Sequence, residues 1–417
     1  MAKQDILGRW SINDSANLYG IKDWGAGYFD LSPAGEVVVR AAPGDKGSEV
    51  SLMEIISGIN ERGMGMPVLL RIENLLDSQI SRLNESFRKA MRNLGYRGRY
   101  QGVFPIKVNQ QAQVIEEISR FGGRFNHGLE AGSKAELVIA LSMLNSRDCL
   151  LICNGYKDEE FIRLGLHAVK LGYKCFFVIE TPAELDIILK ESTNLDVRPL
   201  IGIRLKLSTR AAGHWQDSGG DNSIFGLSTN QMVDVLDRIK AAGLIDCLQL
   251  LHYHLGSQIP NIRDIRAAIR ETARYYAEMV KEGAPMGYID LGGGLAVDYD
   301  GSQTNFVHSK NYTLDEYCAD VVEVVMEILD SGEIPHPVII TESGRAIVAY
   351  SSILLFNVLD TNTWQAGSIP ETLPGESPEL LENLWLVRQS MTLKNIQECY
   401  NDAVYYREEI REQFKHG

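Results

Sequence analysis

The sequence predicts an α/β fold of the (β/α)8 TIM-barrel type, and three observations carry that prediction. From about residue 100 onward, apolar runs alternate with helical segments in eight units over roughly 250 residues, the span of one such barrel. Several runs, those at 149–153 and 176–179 among them, are apolar throughout, as parallel strands covered on both faces require. Helix-start signals follow: Ser133, Thr181, Ser228 and Thr313 each stand three residues before Glu136, Glu184, Gln231 and Glu316. A doubly wound sheet shows the same alternation, so periodicity alone leaves that topology open.

Along the chain, aromatics, glycines and alternation at 24–30 and 36–40 predict short strands and turns. Residues 74–94 predict a helix. Barrel strands are predicted at 103–108, 124–129, 149–153, 175–180, 199–205, 247–255, 288–291 and 337–341. A Pro/Gly/Ser-rich linker at 361–376 precedes helical segments near 378–391 and 393–415. The expected domains are therefore N-terminal strands over 1–67, a barrel over 68–360, and a linker with the start of a helical bundle over 361–417.

Composition narrows the class. Hydrophobic residues make up 45% of the 417, enough for a large core. Acidic residues outnumber basic ones by 55 to 41, and no basic run appears, which argues against nucleic acid and anionic membrane as partners. No apolar stretch approaches the ~18 residues needed to span a bilayer. The first residues, Met-Ala-Lys-Gln-Asp, lack a signal-peptide apolar core, so a cytoplasmic protein with reduced thiols is expected. Cys149 and Cys153 share one face of a strand and read as buried thiols rather than a metal site.

Chemistry in such barrels gathers at the C-terminal strand ends, and four polar patterns stand there. Lys107 ends an apolar run. Burial lowers the pKa of an ammonium and favours the neutral amine that condenses with an aldehyde; the alternative is a lysine reaching out to solvent. His252-Tyr-His254 comes next, followed by Gly256 and Ser257. Alternation puts both imidazoles on one face, open to three readings: a metal pair of the amidohydrolase kind, a ring stacked on a planar cofactor beside a phosphate-binding Gly-Ser turn, or satisfied core histidines. The metal reading needs further histidines and an aspartate on later strand ends, which carry glycines and Glu342. Gly292-Gly293-Gly294 bares backbone N–H groups to an anion, yet many ordinary turns do the same. Glu342 stands three residues before Arg345. The two form a structural ion pair, or a carboxylate that keeps a pyridine nitrogen protonated beside a phosphate-binding arginine.

The order Lys107, His254-Leu-Gly-Ser257, Gly292-Gly-Gly294 and Glu342-Ser-Gly-Arg345 resembles the alanine-racemase-like barrel decarboxylases, a group that includes ornithine, diaminopimelate and arginine decarboxylases. Longer stretches are similar to its biosynthetic arginine decarboxylases. They are Gly102-Val-Phe-Pro-Ile-Lys107-Val-Asn-Gln-Gln, Gly128-Leu-Glu-Ala-Gly-Ser-Lys-Ala-Glu136-Leu and Leu151-Ile-Cys-Asn-Gly-Tyr-Lys-Asp, with Trp215-Gln-Asp-Ser-Gly-Gly, Leu251-His-Tyr-His-Leu-Gly-Ser-Gln-Ile and Asp290-Leu-Gly-Gly-Gly-Leu-Ala-Val-Asp-Tyr-Asp-Gly301. The similarity runs from about residue 8 to the end.

That resemblance implies a barrel of the alanine racemase type and pyridoxal 5'-phosphate as cofactor, carried by Lys107. His254 would stack on its ring, Glu342 would pair with its pyridine nitrogen, and Ser257, Gly292, Gly293, Gly294 and Arg345 would hold its phosphate. Glu130 and Arg204 would line the pocket. The family's substrate-binding stretch maps to Ile289, Asp290, Leu291, Gly292, Gly293, Gly294, Leu295, Ala296, Val297, Asp298 and Tyr299. The implied reaction is L-arginine to agmatine and CO2 in polyamine synthesis, in a homo-oligomer and with magnesium whose ligands no local cluster reveals. A carboxylate at the pyridine nitrogen implies a strong electron sink, hence decarboxylation, whereas related racemases place an arginine there. Alternatives are a non-catalytic or regulatory cofactor-binding relative, or a decarboxylase of another basic amino acid. The family continues past the two helices into a β-rich domain that completes the site and pairs with the strands before about residue 45. The sequence stops at Lys415-His-Gly. The expectation is a barrel that folds and binds cofactor but turns over poorly.

Overall fold

The computed structural model describes residues 10–209, 223–362 and 371–416, which fall into two compact units, one up to Phe356 and one from Asn357. The first unit opens with helices Ile12–Leu18 and Ile21–Trp24 and a three-stranded antiparallel sheet of β1 (Phe29–Leu31), β2 (Val37–Val39) and β3 (Val50–Ser51). Of the stretch 24–30, Trp24 ends the second helix, residues 25–28 form a turn and only Phe29 and Asp30 are strand. Ser11 and Asp14 cap the first helix reciprocally, and left-handed Gly20 (φ 59°) and Gly27 (φ 84°) make turns that an extended strand would not. This layer packs Ile21, Tyr28, Phe29 and Val39 onto Leu75 of the long helix Glu73–Leu94, in the same unit as the barrel.

β4 (Val68–Arg71) pairs antiparallel with β13 (Ser352–Leu355), tying the entry of the barrel to its exit. Between them run β5 (Tyr100–Pro105), β6 (Gly128–Ala131), β7 (Leu150–Cys153), β8 (Lys174–Ile179), β9 (Leu200–Arg204), β10 (Leu248–His252), β11 (Tyr288–Asp290) and β12 (Val338–Thr341). All eight are parallel and paired in chain order, and β12 closes on β5 through Ile340 opposite Gln101, so the sheet is a closed barrel and not a doubly wound one. Val103, Leu150, Ile152, Phe176, Val178, Leu250 and Ile340 fill the interior. The alternate residues Phe104, Leu129, Leu151, Phe177 and Leu251 join the larger core with the surrounding helices. Burial on both faces is why the strands read as unbroken apolar runs. Cys149 and Cys153 both belong to that outer core, and all six cysteines are free thiols.

Strand ends differ from the pattern where backbone chemistry intervenes. The run 103–108 leaves the strand at Pro105, which has no N–H to donate, and Ile106–Val108 becomes a 3-10 turn carrying Lys107. The run 124–129 begins only at Gly128, because Gly123–Phe125 is a 3-10 turn closed by left-handed Asn126. β10 stops at His252, so strand alternation does not extend to His254.

The second unit contains helices Glu379–Ser390 and Ile396–His416. Among the described residues, no helix is long and apolar enough to cross a membrane.

Candidate active site

The C-terminal strand ends converge on a cleft of about 350 Å³ lined by Lys107, Asn154, Arg204, Phe225, His252, His254, Ser257 and Glu342. A cleft of about 370 Å³ shares Lys107, His254, Ser257 and Glu342 and adds Gly293, Gly294, Tyr299 and Arg345. Trp215–Gly220 of the sequence comparison lie outside the described residues.

Lys107 Nζ donates to Glu130 Oε1 at 2.7 Å. The carboxylate, from β6, is 1% exposed, while the lysine side chain is 55% open toward the cleft. Burial alone lowers the lysine's pKa, as the sequence argument expects. The carboxylates of Glu130 and Glu342 outweigh it, so the ammonium is held above its ordinary value instead. Glu130 is pushed up to about 7 by burial and by Glu342, against the pull of Lys107.

Glu342 follows β12 and is buried. Its Oε1 accepts from Asn154 Nδ2 at 2.9 Å and lies 3.4 Å from His252 Nε2. Asp290 joins them, the ligand-type atoms of His252, Asp290 and Glu342 all lying within 4.8 Å of one another. Burial raises both carboxyls, Asp290 well above the usual range, although Gly292 N–H donates to its Oδ1 at 2.9 Å. Burial, with Arg204 adding to it, pulls His252 down to about 3, so this imidazole is neutral. Glu342 and Arg345 form no ion pair.

Arg345 instead turns toward Ser257. Its Nε and Nη2 donate to Ser257 Oγ at 3.2 and 3.1 Å, and Nη1 donates to Tyr299 Oη at 3.2 Å. His254 Nδ1 accepts from Gly293 N–H at 3.2 Å. Two of the three glycine amides are thus committed within the protein, Gly292 to Asp290 and Gly293 to His254. Gly292 is left-handed (φ 59°), and a Cβ there would meet Tyr253 O at 2.3 Å, which accounts for glycine at that position. Of the stretch Ile289–Tyr299, the side chains of Ile289, Asp290, Leu291, Leu295, Ala296, Val297 and Asp298 are buried, while Gly293, Gly294, Leu295 and Tyr299 reach the second cleft.

The donor set fits pyridoxal phosphate. It offers an amine, a buried carboxyl, a hydroxyl paired with a guanidinium, and a flat imidazole around one cleft. Among the described residues, Glu130 Oε2, Asn154 Oδ1 and both His252 nitrogens have no hydrogen-bond partner. The cluster of His252, Asp290 and Glu342 does not fit magnesium, which takes hard oxygen ligands and keeps several waters. Here one donor is an imidazole and both carboxyls are biased toward protonation. His254 is outside that cluster, so the His252–His254 metal pair does not form. Sequence reasoning missed Asn154 and Glu180, the polar residues just past β7 and β8, as members of the site. The same strand-end rule would have found both.

Known proteins resemble this chain over both units. Residues 78–349 match the family of pyridoxal-dependent decarboxylases over their pyridoxal binding domain, and residues 374–417 match the arginine decarboxylase helical bundle domain. The biosynthetic arginine decarboxylase of Gloeobacter violaceus is 45% identical over 408 residues, covering 98% of this chain and 63% of the relative. That of Thermosynechococcus vestitus is 44% identical, with 98% and 64% covered. A solved biosynthetic arginine decarboxylase from Campylobacter jejuni superposes with a TM-score of 0.76 at 31% identity, covering 96% of this chain and 65% of the other. The chain therefore spans somewhat under two-thirds of the length of the relatives it matches.

Proposed function

The chain belongs to the pyridoxal-dependent decarboxylase family, and from that membership we propose that it converts L-arginine to agmatine and CO2, a step toward polyamines. The names of the relatives support arginine as substrate. One observation carries the reaction type: Lys107 and Glu342, an amine and a buried carboxyl, line a single cleft at the barrel's C-terminal end.

In this reading Lys107 holds the cofactor's aldehyde, Ser257 and Arg345 its phosphate, His254 one ring face and Glu342 its pyridine nitrogen. When bound, pyridoxal phosphate supplies the electron sink for loss of CO2. The protein's own groups set the protons. Glu130 Oε1, 2.7 Å from Lys107 Nζ and with its pKa raised to about 7, is placed to take a proton from that ammonium and to return it. Burial raises both Asp290 and Glu342, and a positive pyridine nitrogen bound beside Glu342 would offset that rise and favour its carboxylate. Neutral His252 adds no competing charge beside it. No step is routed through magnesium.

We read the enzyme as cytoplasmic, which its six free thiols support, and as a homo-oligomer, to be checked by light scattering. The functional test is agmatine and CO2 production from L-arginine with added pyridoxal phosphate, beside L-ornithine and L-lysine. Agmatine should form, with arginine preferred. Preference for another amino acid would overturn the substrate, and cofactor binding without CO2 from any of them would overturn the reaction.

A further inference from the structure

We propose that Lys157, Glu184 and Glu180 form a buried relay that positions Arg204 in the cleft, so that Lys157 and Glu180 are positioning residues of the site. This rests on the cofactor-binding reading above. The starting observation is Lys157, whose side chain is 0% exposed and which the roles already assigned do not use. Its Nζ donates to Gly155 O at 2.5 Å and stands 3.1 Å from Glu184 Oε2. The same Glu184 oxygen accepts from Glu180 N–H at 2.9 Å, immediately beyond β8. Gly155 N–H in turn donates to Glu180 Oε1 at 2.9 Å, and that oxygen takes Arg204 Nη1 at 3.1 Å. Lys157 therefore fixes Glu180 twice, its backbone through Glu184 and its carboxylate through Gly155.

A buried ion pair is a poor way to stabilise a core, since apolar groups of similar volume do as well or better. What this one supplies is a fixed carboxylate behind a cleft cation. Arg204 sits with its Cζ 5.5 Å from the Phe225 ring and lines the cleft with Lys107 and His254. Burial alone would raise the carboxyl of Glu180, but Arg204 and Lys157 outweigh it and keep it ionised. Arg204's own charge bears on Lys107, Glu342, His252 and His254 together. A shift of this guanidinium would change the field at Lys107, Glu342 and His254, three of the groups assigned to the cofactor. Gly155 is held to glycine by a left-handed φ of 71° and by Gly132 O, 2.5 Å from where a Cβ would stand, so the link has little freedom to drift.

The test is a double-mutant cycle on the whole chain, read by pyridoxal phosphate titration and by the pH at which the bound cofactor's absorbance changes. Arg204→Gln, Glu180→Gln and Lys157→Met should each weaken cofactor binding by roughly 10-fold and shift that pH, the loss expected for one charge-assisted hydrogen bond. In the Arg204→Gln background the other two should add less than about 2-fold, because the group they position is gone. Additive losses, or full affinity in Glu180→Gln, would overturn the relay and leave Lys157 as a fold-stabilising charge only. Should Lys157→Met unfold on a melting curve, the near-isosteric Glu180→Gln carries the same cycle. A parent chain that takes up no pyridoxal phosphate would instead overturn the reading on which the relay rests.

Discussion

At Lys107, burial and charge oppose each other, and charge wins. The sequence showed a lysine leaving an apolar run, and from that alone a depressed pKa follows. Glu130 lies 23 residues away on the next strand, and its contact with the lysine depends on β5–β6 register that a single run does not reveal. The same limit hid the trio of Asp290, His252 and Glu342, whose members come from three strands. Glu342 itself was legible, as the one carboxylate ending its strand. Glu342→Gln should leave pyridoxal phosphate affinity largely intact while slowing decarboxylation by at least ~100-fold, a few kcal/mol of barrier. Unchanged turnover in that variant would mean that the pyridine nitrogen has another partner. A second residue is expected to contribute to acid sensitivity. His127 is buried, both ring nitrogens lack partners among the described residues, and burial pulls it down to about 4. Its folded-state pKa is depressed below the unfolded value of 6.5, so its contribution is full above that value and is lost as pH falls toward 4. The loss is worth about 3 kcal/mol at most. His127→Phe keeps a flat ring between Gly102 and Gly122 and cannot take a proton. Urea unfolding from pH 7 to 4.5 should show a shallower decline for it than for the parent, and equal slopes would assign the acid sensitivity to other groups.

Elements show the same division between local and tertiary information. Four helix starts carry one signature, yet only Ser228 with Gln231 and Thr313 with Glu316 form reciprocal capping boxes. Ser133 caps its helix, but the carboxylate of Glu136 goes to Gly132 N–H and Gln110. Thr181 caps nothing with its side chain, and Glu184 is drawn to Glu180 N–H and Lys157. A local motif thus keeps its local geometry only where no buried partner competes for the acid. Strand bounds follow suit, since an apolar run cannot mark where Pro105 ends hydrogen bonding. Thr313→Ala should cost about 1 kcal/mol of unfolding free energy, the usual worth of an N-cap. Thr181→Ala should cost much less, because no cap bond is lost. Chemical denaturation of both variants beside the parent would compare them, and equal losses would show that the capping geometry described for these two helices is not what stabilises them.

For the whole molecule, barrel closure is what alternation could not announce, because it depends on β12 returning to β5 across more than 230 residues, as in the pairing of Ile339 with Tyr100. Closure brings Lys107, at one end of the chain's barrel, beside Glu342 at the other, and the antiparallel pair β4 and β13 ties the two flanks together. Every described residue lining the two clefts, from Pro105 to Ala349, lies in the unit that ends at Phe356. So do the core clusters that hold the strands in place. Cofactor binding should therefore depend on that unit alone. A chain ending at Phe356 should take up pyridoxal phosphate with a Kd within about 3-fold of the 417-residue chain, a difference under roughly 0.7 kcal/mol. Its thermal stability should rise on adding the cofactor, because a ligand that binds only the folded state stabilises it by mass action. Titration of the two chains side by side measures the first, and melting with and without cofactor the second. A loss of more than about 10-fold with the shorter chain still folded would mean that residues beyond Phe356 bear on the cleft, and that the barrel alone does not set the cofactor's affinity.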